Sequence, residues 1–579
     1  MEDKEEGISV LIIGCGPAGL VNARTLIQDG FKVTMVAKED GVGGCWRNTY
    51  PDLTTNSPWG AFTFSGLDMP KPSNLLGDVV PARTYKRYLE DFYHHFIEGH
   101  AEVLLDTEIS SLVPKDNNDR GWIVSLKHRG YEEERSFDRV VLATGYLGKP
   151  YTPNIFENPP VPTFHTSTLA YPSGMDKLLS TVSSSSKIPH DEDEGDKDTI
   201  LVIGGGKSAM DTAAILANRG RKVIWAFRGP LKWFSPSVPP GMMGANRLDI
   251  LFGPSRIIDS WTMWFYHCTS IGAGWVKAFW AMMRGAWTGI YTNNNLPPPT
   301  SDPFLSLAHF AGGIPSGPQD FLALLKTGKI ASVNNVTPIS VDINEVQFDK
   351  QVDGNKLENI IIKCGAIVTA TGYKGGTYNF IDSVTRRKLG LERIPPEPNS
   401  EGKVLNMRKQ WKTIQSNEVG SIKLPLVLRG ILPYGRYEKR DLAITGATRP
   451  FFIPALTYEV ESHWISSLFK DDPFLKLPLT KEKCLEEIQA DNNFTRARYP
   501  GIDPYEAIPS GTYVSAFNDL SYTRVLLRDL SLDPWRQKDT SHKWWKFWNY
   551  MNWLNVRVNP QQYANLGEER KTLRESTKS

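Results

Sequence analysis

The chain has 579 residues, with 66 Lys plus Arg against 64 Asp plus Glu and a formal net charge of +2. Near-neutrality excludes the basic footprint that nucleic-acid binding needs, and 40% hydrophobic with 22% charged residues excludes a disordered chain. Five scattered cysteines (Cys15, Cys45, Cys268, Cys364, Cys484) are too few for a disulfide scaffold or a structural zinc site, so no metal is expected.

The start, Met1–Glu6, is acidic and lacks the order of a secretory signal; with so few cysteines this predicts an intracellular, cytoplasmic chain. Ile8–Ile13 reads as a short buried strand and runs into Gly14-Cys15-Gly16-Pro17-Ala18-Gly19. A helix is predicted over Leu20–Asp29, ending at Gly30, and a second strand over Lys32–Val36. Strand, GxGxxG, helix, strand is the context in which this motif binds a dinucleotide. Gly14 permits the tight turn and Gly16 lets backbone approach a pyrophosphate. Gly19 lets helix and strand pack closely, and the helix N-terminus supplies N–H groups. The carboxylate expected at the end of the second strand, to hold a ribose, is missing: the strand ends Met35-Val36-Ala37-Lys38, with Glu39 and Asp40 just beyond.

The serine and acid run within Thr181–Asp198 cannot bury apolar area and reads as a solvated loop. Then the first pattern recurs. Thr199–Ile203 is a strand, Gly204-Gly205-Gly206-Lys207-Ser208-Ala209-Met210-Asp211 follows, a helix runs through Ala217 to Gly220, and Lys222–Phe227 is the next strand. Ala209 replaces the third glycine and is still small enough for close packing. Lys207 brings a cation to the phosphates. Arg228 stands where an acid would select NAD; an arginine there suits a 2′-phosphate, which predicts NADPH, the alternative being an exposed loop arginine. Two such loops imply two nucleotides, a flavin and a nicotinamide, and so redox chemistry.

Seventeen tryptophans are unevenly placed, seven within Trp225–Trp287 and five within Trp535–Trp553. Trp261, Trp264, Trp275, Met282 and Trp287 recur near helical spacing, and the opposite positions are apolar too. A helix apolar all round is buried or lies in lipid. Three readings stay open for this segment: a packed core insert, a substrate-channel wall or dimer surface, and membrane contact. The second window, His542–Val558, interleaves aromatics with Lys543, Lys546 and Arg557; it fits a tail packed on the core or an interfacial helix. No window offers the roughly 20 clean apolar residues that span a bilayer.

Taken together, Gly14–Gly19, Gly43-Gly44-Cys45-Trp46, Thr55-Asn56-Ser57-Pro58, Ala143-Thr144-Gly145-Tyr146, Gly204–Asp211, Ala370-Thr371-Gly372-Tyr373 and Ile444-Thr445-Gly446-Ala447 resemble the flavin-containing monooxygenases, with N-hydroxylating and Baeyer–Villiger enzymes as relatives. A helix with Glu459, Glu461 and Trp464 completes the set, which runs in order from about residue 8 to 465. The resemblance implies FAD at the first loop and NADPH at the second. Gly44, Cys45 and Trp46 would lie against the flavin, with Asn56 as the catalytic polar group at its reactive edge. Thr144, Gly145, Thr371 and Gly372 would form the crossings between the two units.

The expected fold is α/β, with two Rossmann-like units and the NADPH unit inserted into a discontinuous FAD unit. Its expected borders are 1–150 and 335–470 for FAD, 151–198 for a linker, 199–334 for NADPH (with the aromatic insert at 233–303), and 471–579 for a C-terminal extension. The implied reaction passes one oxygen atom from O2, through a flavin C4a-hydroperoxide, to a bulky apolar organic molecule of biosynthetic or specialised metabolism. Baeyer–Villiger oxygenation of a ketone is one alternative, and a turnover-deficient redox module another. The linker signature around Phe164-His165 lacks the family's glycine, which weakens the Baeyer–Villiger alternative. No cysteine pair has the spacing a disulfide reductase uses. Peripheral membrane contact is open, and the oligomeric state is not set by the sequence.

Overall fold

SVLII at Ser9–Ile13 and TILVI at Thr199–Ile203 show no alternation of polar and apolar residues, as strands covered on both faces require. In the computed structural model each becomes the middle strand of a five-stranded, all-parallel sheet. The structure describes residues 7–71, 79–115, 120–145, 147–183, 195–229, 231, 234–236, 253–258, 260–299, 312–314, 320–353, 356–374, 378–396, 400–414, 422–448, 450, 453–499, 519–536 and 558–578.

The first sheet runs Leu442–Ile444, Arg139–Leu142, Ser9–Ile13, Lys32–Val36, Glu102–Leu104. The second runs Thr163–His165, Ala366–Thr369, Thr199–Ile203, Lys222–Phe227, Ile330–Asn334. Each unit also carries a three-stranded antiparallel sheet, Thr107–Phe137 in the first and Val336–Lys363 in the second. After it the chain returns to pair beside the phosphate-loop strand. The two halves therefore follow one plan. Because Leu442–Ile444 rejoins the first sheet, the second unit is inserted into the first.

Sheet pairing places the unit borders differently from 199 and 334. Thr163–His165 and Ala366–Thr369 both hydrogen-bond inside the second sheet, so that unit begins within the expected linker and ends near Thr369. These strands are short and carry no glycine signature. Only their pairing partners reveal them.

The aromatic insert forms two helices, Trp261–Cys268 and Ser270–Thr292. Ser260 and Thr269 cap them, their hydroxyls accepting from the Met263 and Gly272 N–H groups at 3.1 and 3.0 Å. On the longer helix Val276, Trp280, Trp287 and Tyr291 are buried in the same core as Trp225 and Phe227. The inner side of the insert is thus core packing. Among the described residues, no helix is long and apolar enough to cross a membrane.

The C-terminal extension is tied to the first unit through buried charge. Arg570, fully buried, donates to Asp29 at 2.8 Å, and Arg574 reaches Asp29 at 3.0 Å and Asp472 at 2.8 Å. Asp29 is the C-cap of the first phosphate-loop helix, so the helix Leu566–Lys578 is fastened directly to that loop's support. Of the window His542–Val558, only Val558 lies among the described residues.

Candidate functional site

The two phosphate loops share the same backbone construction. Gly14 has φ +117 and its N–H donates to Val36 O at 2.8 Å; Gly204 has φ +141 and its N–H donates to Ala226 O at 3.0 Å. A Cβ on Gly14 would stand 2.4 Å from Ala143 O, and one on Gly204 would stand 2.4 Å from Ala370 O. Left-handed φ and backbone contact together make each position a glycine. Gly19 plays its predicted packing part, since a Cβ there would meet Gly14 O at 2.0 Å. Ala209, fully buried, takes the equivalent place in the second loop. Among the described residues, no atom beyond its own chain neighbours lies within 4 Å of a Cβ built on Gly206, which leaves room for a phosphate.

Helices Pro17–Gln28 and Lys207–Asn218 start at Gly16 and Gly206, neither with a side-chain cap. Both therefore offer first-turn N–H groups to an anion. The segment Gly43–Trp46 docks on the first loop: Gly43 N–H donates to Cys15 O at 2.8 Å, and a Cβ on Gly44 would lie 2.8 Å from Gly16 Cα. Trp46 stands edge-on to Phe62 and Tyr85, with centroids 5.6 and 5.0 Å away. These features fit an FAD at the first loop and a nicotinamide nucleotide at the second.

Ala37 is buried and spends its backbone on Leu104 and Thr107, so it offers nothing to a ligand. Glu39, beyond it, lies close to the first loop. Burial pushes the Cys15 thiol up to about 12, and the Glu39 charge adds to that shift. Cys15 is therefore a protonated, inert thiol. All five cysteines are free.

Lys207 departs from its expected role. Its amine forms an ion pair with Asp211 one turn on, and Asp211 also accepts from Tyr50 Oη at 2.8 Å. The lysine is held within the helix, and Tyr50 and Asp211 join the two units, a contact with no signal in the local sequence. Arg228 is exposed at the end of its strand. Asn56 lies on the strand Thr54–Pro58, which pairs with Val79–Pro81; its side chain lies outside the described residues, as does Tyr146.

The second Ala-Thr-Gly segment meets the chain just beyond the first. Lys149–Pro150 pairs antiparallel with Tyr373–Lys374, Tyr151 N–H donates to Gly372 O at 2.9 Å, and Thr371 donates to Tyr151 O. Gly145 and Gly372 take φ +70 and +81, which explains their glycines although a Cβ would meet nothing. His165 locks this ribbon. Its Nδ1 accepts from Ser167 N–H at 3.2 Å, which leaves Nε2 to donate to Gly372 O at 3.1 Å. Burial holds its pKa below the ordinary histidine value, which favours the neutral ring.

A second polar cluster sits beneath the first loop. Glu461 is fully buried and accepts from Thr445 and Thr448, each at 2.7 Å, and from Tyr522 at 3.3 Å. It thereby pins the loop containing Gly446, where a Cβ would lie 2.9 Å from that of Ala18.

A family model described as pyridine nucleotide-disulphide oxidoreductase matches residues 8–233. The chain is 24% identical to the FAD-dependent monooxygenase rstn6 of Aspergillus nomiae, over 91% of this chain and 93% of that one. With flavin-containing monooxygenase 1 of Homo sapiens it shares 26% identity, over 38% of this chain and 40% of that one. The solved structure of oxidized steroid monooxygenase bound to NADP superposes with a TM-score of 0.57 at 15% identity, covering 90% of this chain and 97% of that one. That likeness speaks for the fold. With duplicated nucleotide loops, the ordered motif set and no disulfide pair, the chain is similar to the FAD-dependent and flavin-containing monooxygenases and is an oxidoreductase that uses FAD and NADPH.

Proposed function

We propose that this chain uses NADPH to place one oxygen atom from O2 on a bulky apolar molecule of biosynthetic or specialised metabolism, the other atom leaving as water. The observation that carries the reading is the pair of phosphate loops, built alike and brought together by the ribbon of Thr371, Gly372 and Tyr151. Bound FAD supplies hydride acceptance and activation of O2, and the protein supplies orientation and a dry site.

Gly14, Gly16, Pro17, Ala18 and Gly19 hold the FAD pyrophosphate, with Glu39 at the ribose in place of the missing acid at Ala37. Gly44, Cys45, Trp46, Thr144 and Gly145 flank the flavin. Trp46, wedged by Phe62 and Tyr85, excludes water from it. Asn56 presents a hydrogen-bonding group at the reactive edge. Gly204, Gly206, Ser208 and Ala209 hold the NADPH pyrophosphate, while Lys207 steadies the loop through Asp211. Arg228 holds the 2′-phosphate. Burial and the neighbouring Asp211 charge raise the Tyr50 pKa well above its ordinary value, so this phenol stays neutral and keeps the units in register.

Purified protein is expected to be yellow, to bleach anaerobically with NADPH, and to take up O2 when a substrate is added that gains one oxygen by mass. Colourless protein that cannot be reconstituted with FAD would exclude this reading. Protein that binds FAD and NADPH but never consumes O2 is the turnover-deficient module instead. Arg228→Glu removes a charged hydrogen bond worth about 1.5–3 kcal/mol. It should raise KM for NADPH roughly ten- to hundredfold while leaving that for NADH little changed. Equal effects on both would remove the 2′-phosphate role.

A further inference from the structure

The outer face of the aromatic insert is large, apolar and exposed. On the helix Ser270–Thr292, Ile271, Trp275, Ala278 and Met282 stand at i, i+4, i+7 and i+11, one stripe of an α-helix, and all four are exposed. Ile271, Trp275 and Met282 are 62–72% exposed, and Trp261 and Trp264 on the preceding helix are 59% and 51% exposed. The opposite stripe of the longer helix is core, so the element is anchored and its free side is apolar. Apolar side chains of this size are not normally gathered on a solvated surface.

Charge selects the occupant. Between Ser260 and Thr292 there is no Asp or Glu; the charged residues are Lys277 and Arg284. They are seven apart, so they share one side of the helix, at the border between its exposed face and its buried one. A second copy of this chain would bring the same two cations and no acid to meet them. A lipid surface with anionic headgroups meets every feature: tryptophan favours the interface between water and acyl chains, and border cations reach the headgroups. The helices do not span. We propose that this two-helix insert lies in the headgroup region of an anionic membrane, with the Ile271–Met282 stripe buried in it and Lys277 and Arg284 at its rim. This attachment does not depend on the reaction catalysed.

The test is co-sedimentation of the full-length holoprotein with vesicles of phosphatidylcholine containing phosphatidylserine, and with vesicles of phosphatidylcholine alone. Wild type should partition onto the mixed vesicles more strongly than onto the neutral ones, and less so at high salt. Trp275→Glu with Met282→Glu should weaken partitioning about tenfold or more, with flavin content and unfolding midpoint retained. Lys277→Glu with Arg284→Glu should abolish the preference for the mixed vesicles, about tenfold or more, and serves if the first pair fails to fold. Wild type that stays in solution, or either pair binding like wild type, overturns the proposal. So does sedimentation velocity in which wild type is a dimer and the Trp275→Glu, Met282→Glu variant a monomer, for the face would then join two copies.

Discussion

Arg24 and Glu459 form a 2.6 Å ion pair with both side chains buried, and Arg24 also donates to Ser65 O at 2.6 Å. Neither residue announces the other in the sequence, since 435 positions separate them. Removing one partner of such a pair strands the other charge in the core. Glu459→Ala is therefore expected to cost about 3–5 kcal/mol in urea unfolding. A cost below 1 kcal/mol would mean that Arg24 finds another acceptor. Glu461, two residues on, contrasts with it: no cation pairs with it among the described residues, and burial raises its pKa. It is held by hydroxyl donors from Thr445, Thr448 and Tyr522, so its role is to fix the closing loop rather than to balance a charge.

At the scale of the element, the two phosphate loops can be separated by matched substitutions. Gly14→Ala and Gly204→Ala each place a methyl 2.4 Å from a carbonyl oxygen at a left-handed φ. The first should lose bound FAD, read as the ratio of flavin to protein absorbance. The second should keep its flavin and raise KM for NADPH about tenfold or more, given a local strain on the order of 1–3 kcal/mol. If both lost flavin equally, the two loops would not hold separate nucleotides. Both loops, their strands and the Arg228 position were legible in the sequence because the signal is local: glycines at fixed spacing after an apolar run. The flanking strands Thr163–His165 and Ala366–Thr369 were not, because three or four residues carry no periodicity. Their identity depends on pairing with one another across about 200 positions.

For the whole molecule, the C-terminal helix is the closing element. Burial alone would raise the Asp29 carboxyl, but Arg570 and Arg574 outweigh it and hold its pKa well below the usual range. A carboxyl depressed in the folded state stabilises above its unfolded pKa of about 3.9, and that contribution is lost as pH falls through the folded value. Arg570→Met with Arg574→Met should therefore move the acid-unfolding midpoint upward and weaken stability near neutral pH, followed by far-UV circular dichroism. An unchanged midpoint would show that the extension does not support the first unit.

The sequence by itself determined the class of fold, the two nucleotides and their order, because phosphate binding imposes short-range rules on backbone conformation. The tertiary structure decided which segments complete each sheet, that Lys207 is occupied by Asp211, and that the extension belongs to the first unit. It also divided the tryptophan-rich insert into a buried side and an exposed one, which helical spacing could not do when both sides are apolar. Hydrophobic periodicity reports where side chains point around a helix. Only the packed neighbours determine which of those directions is the interior.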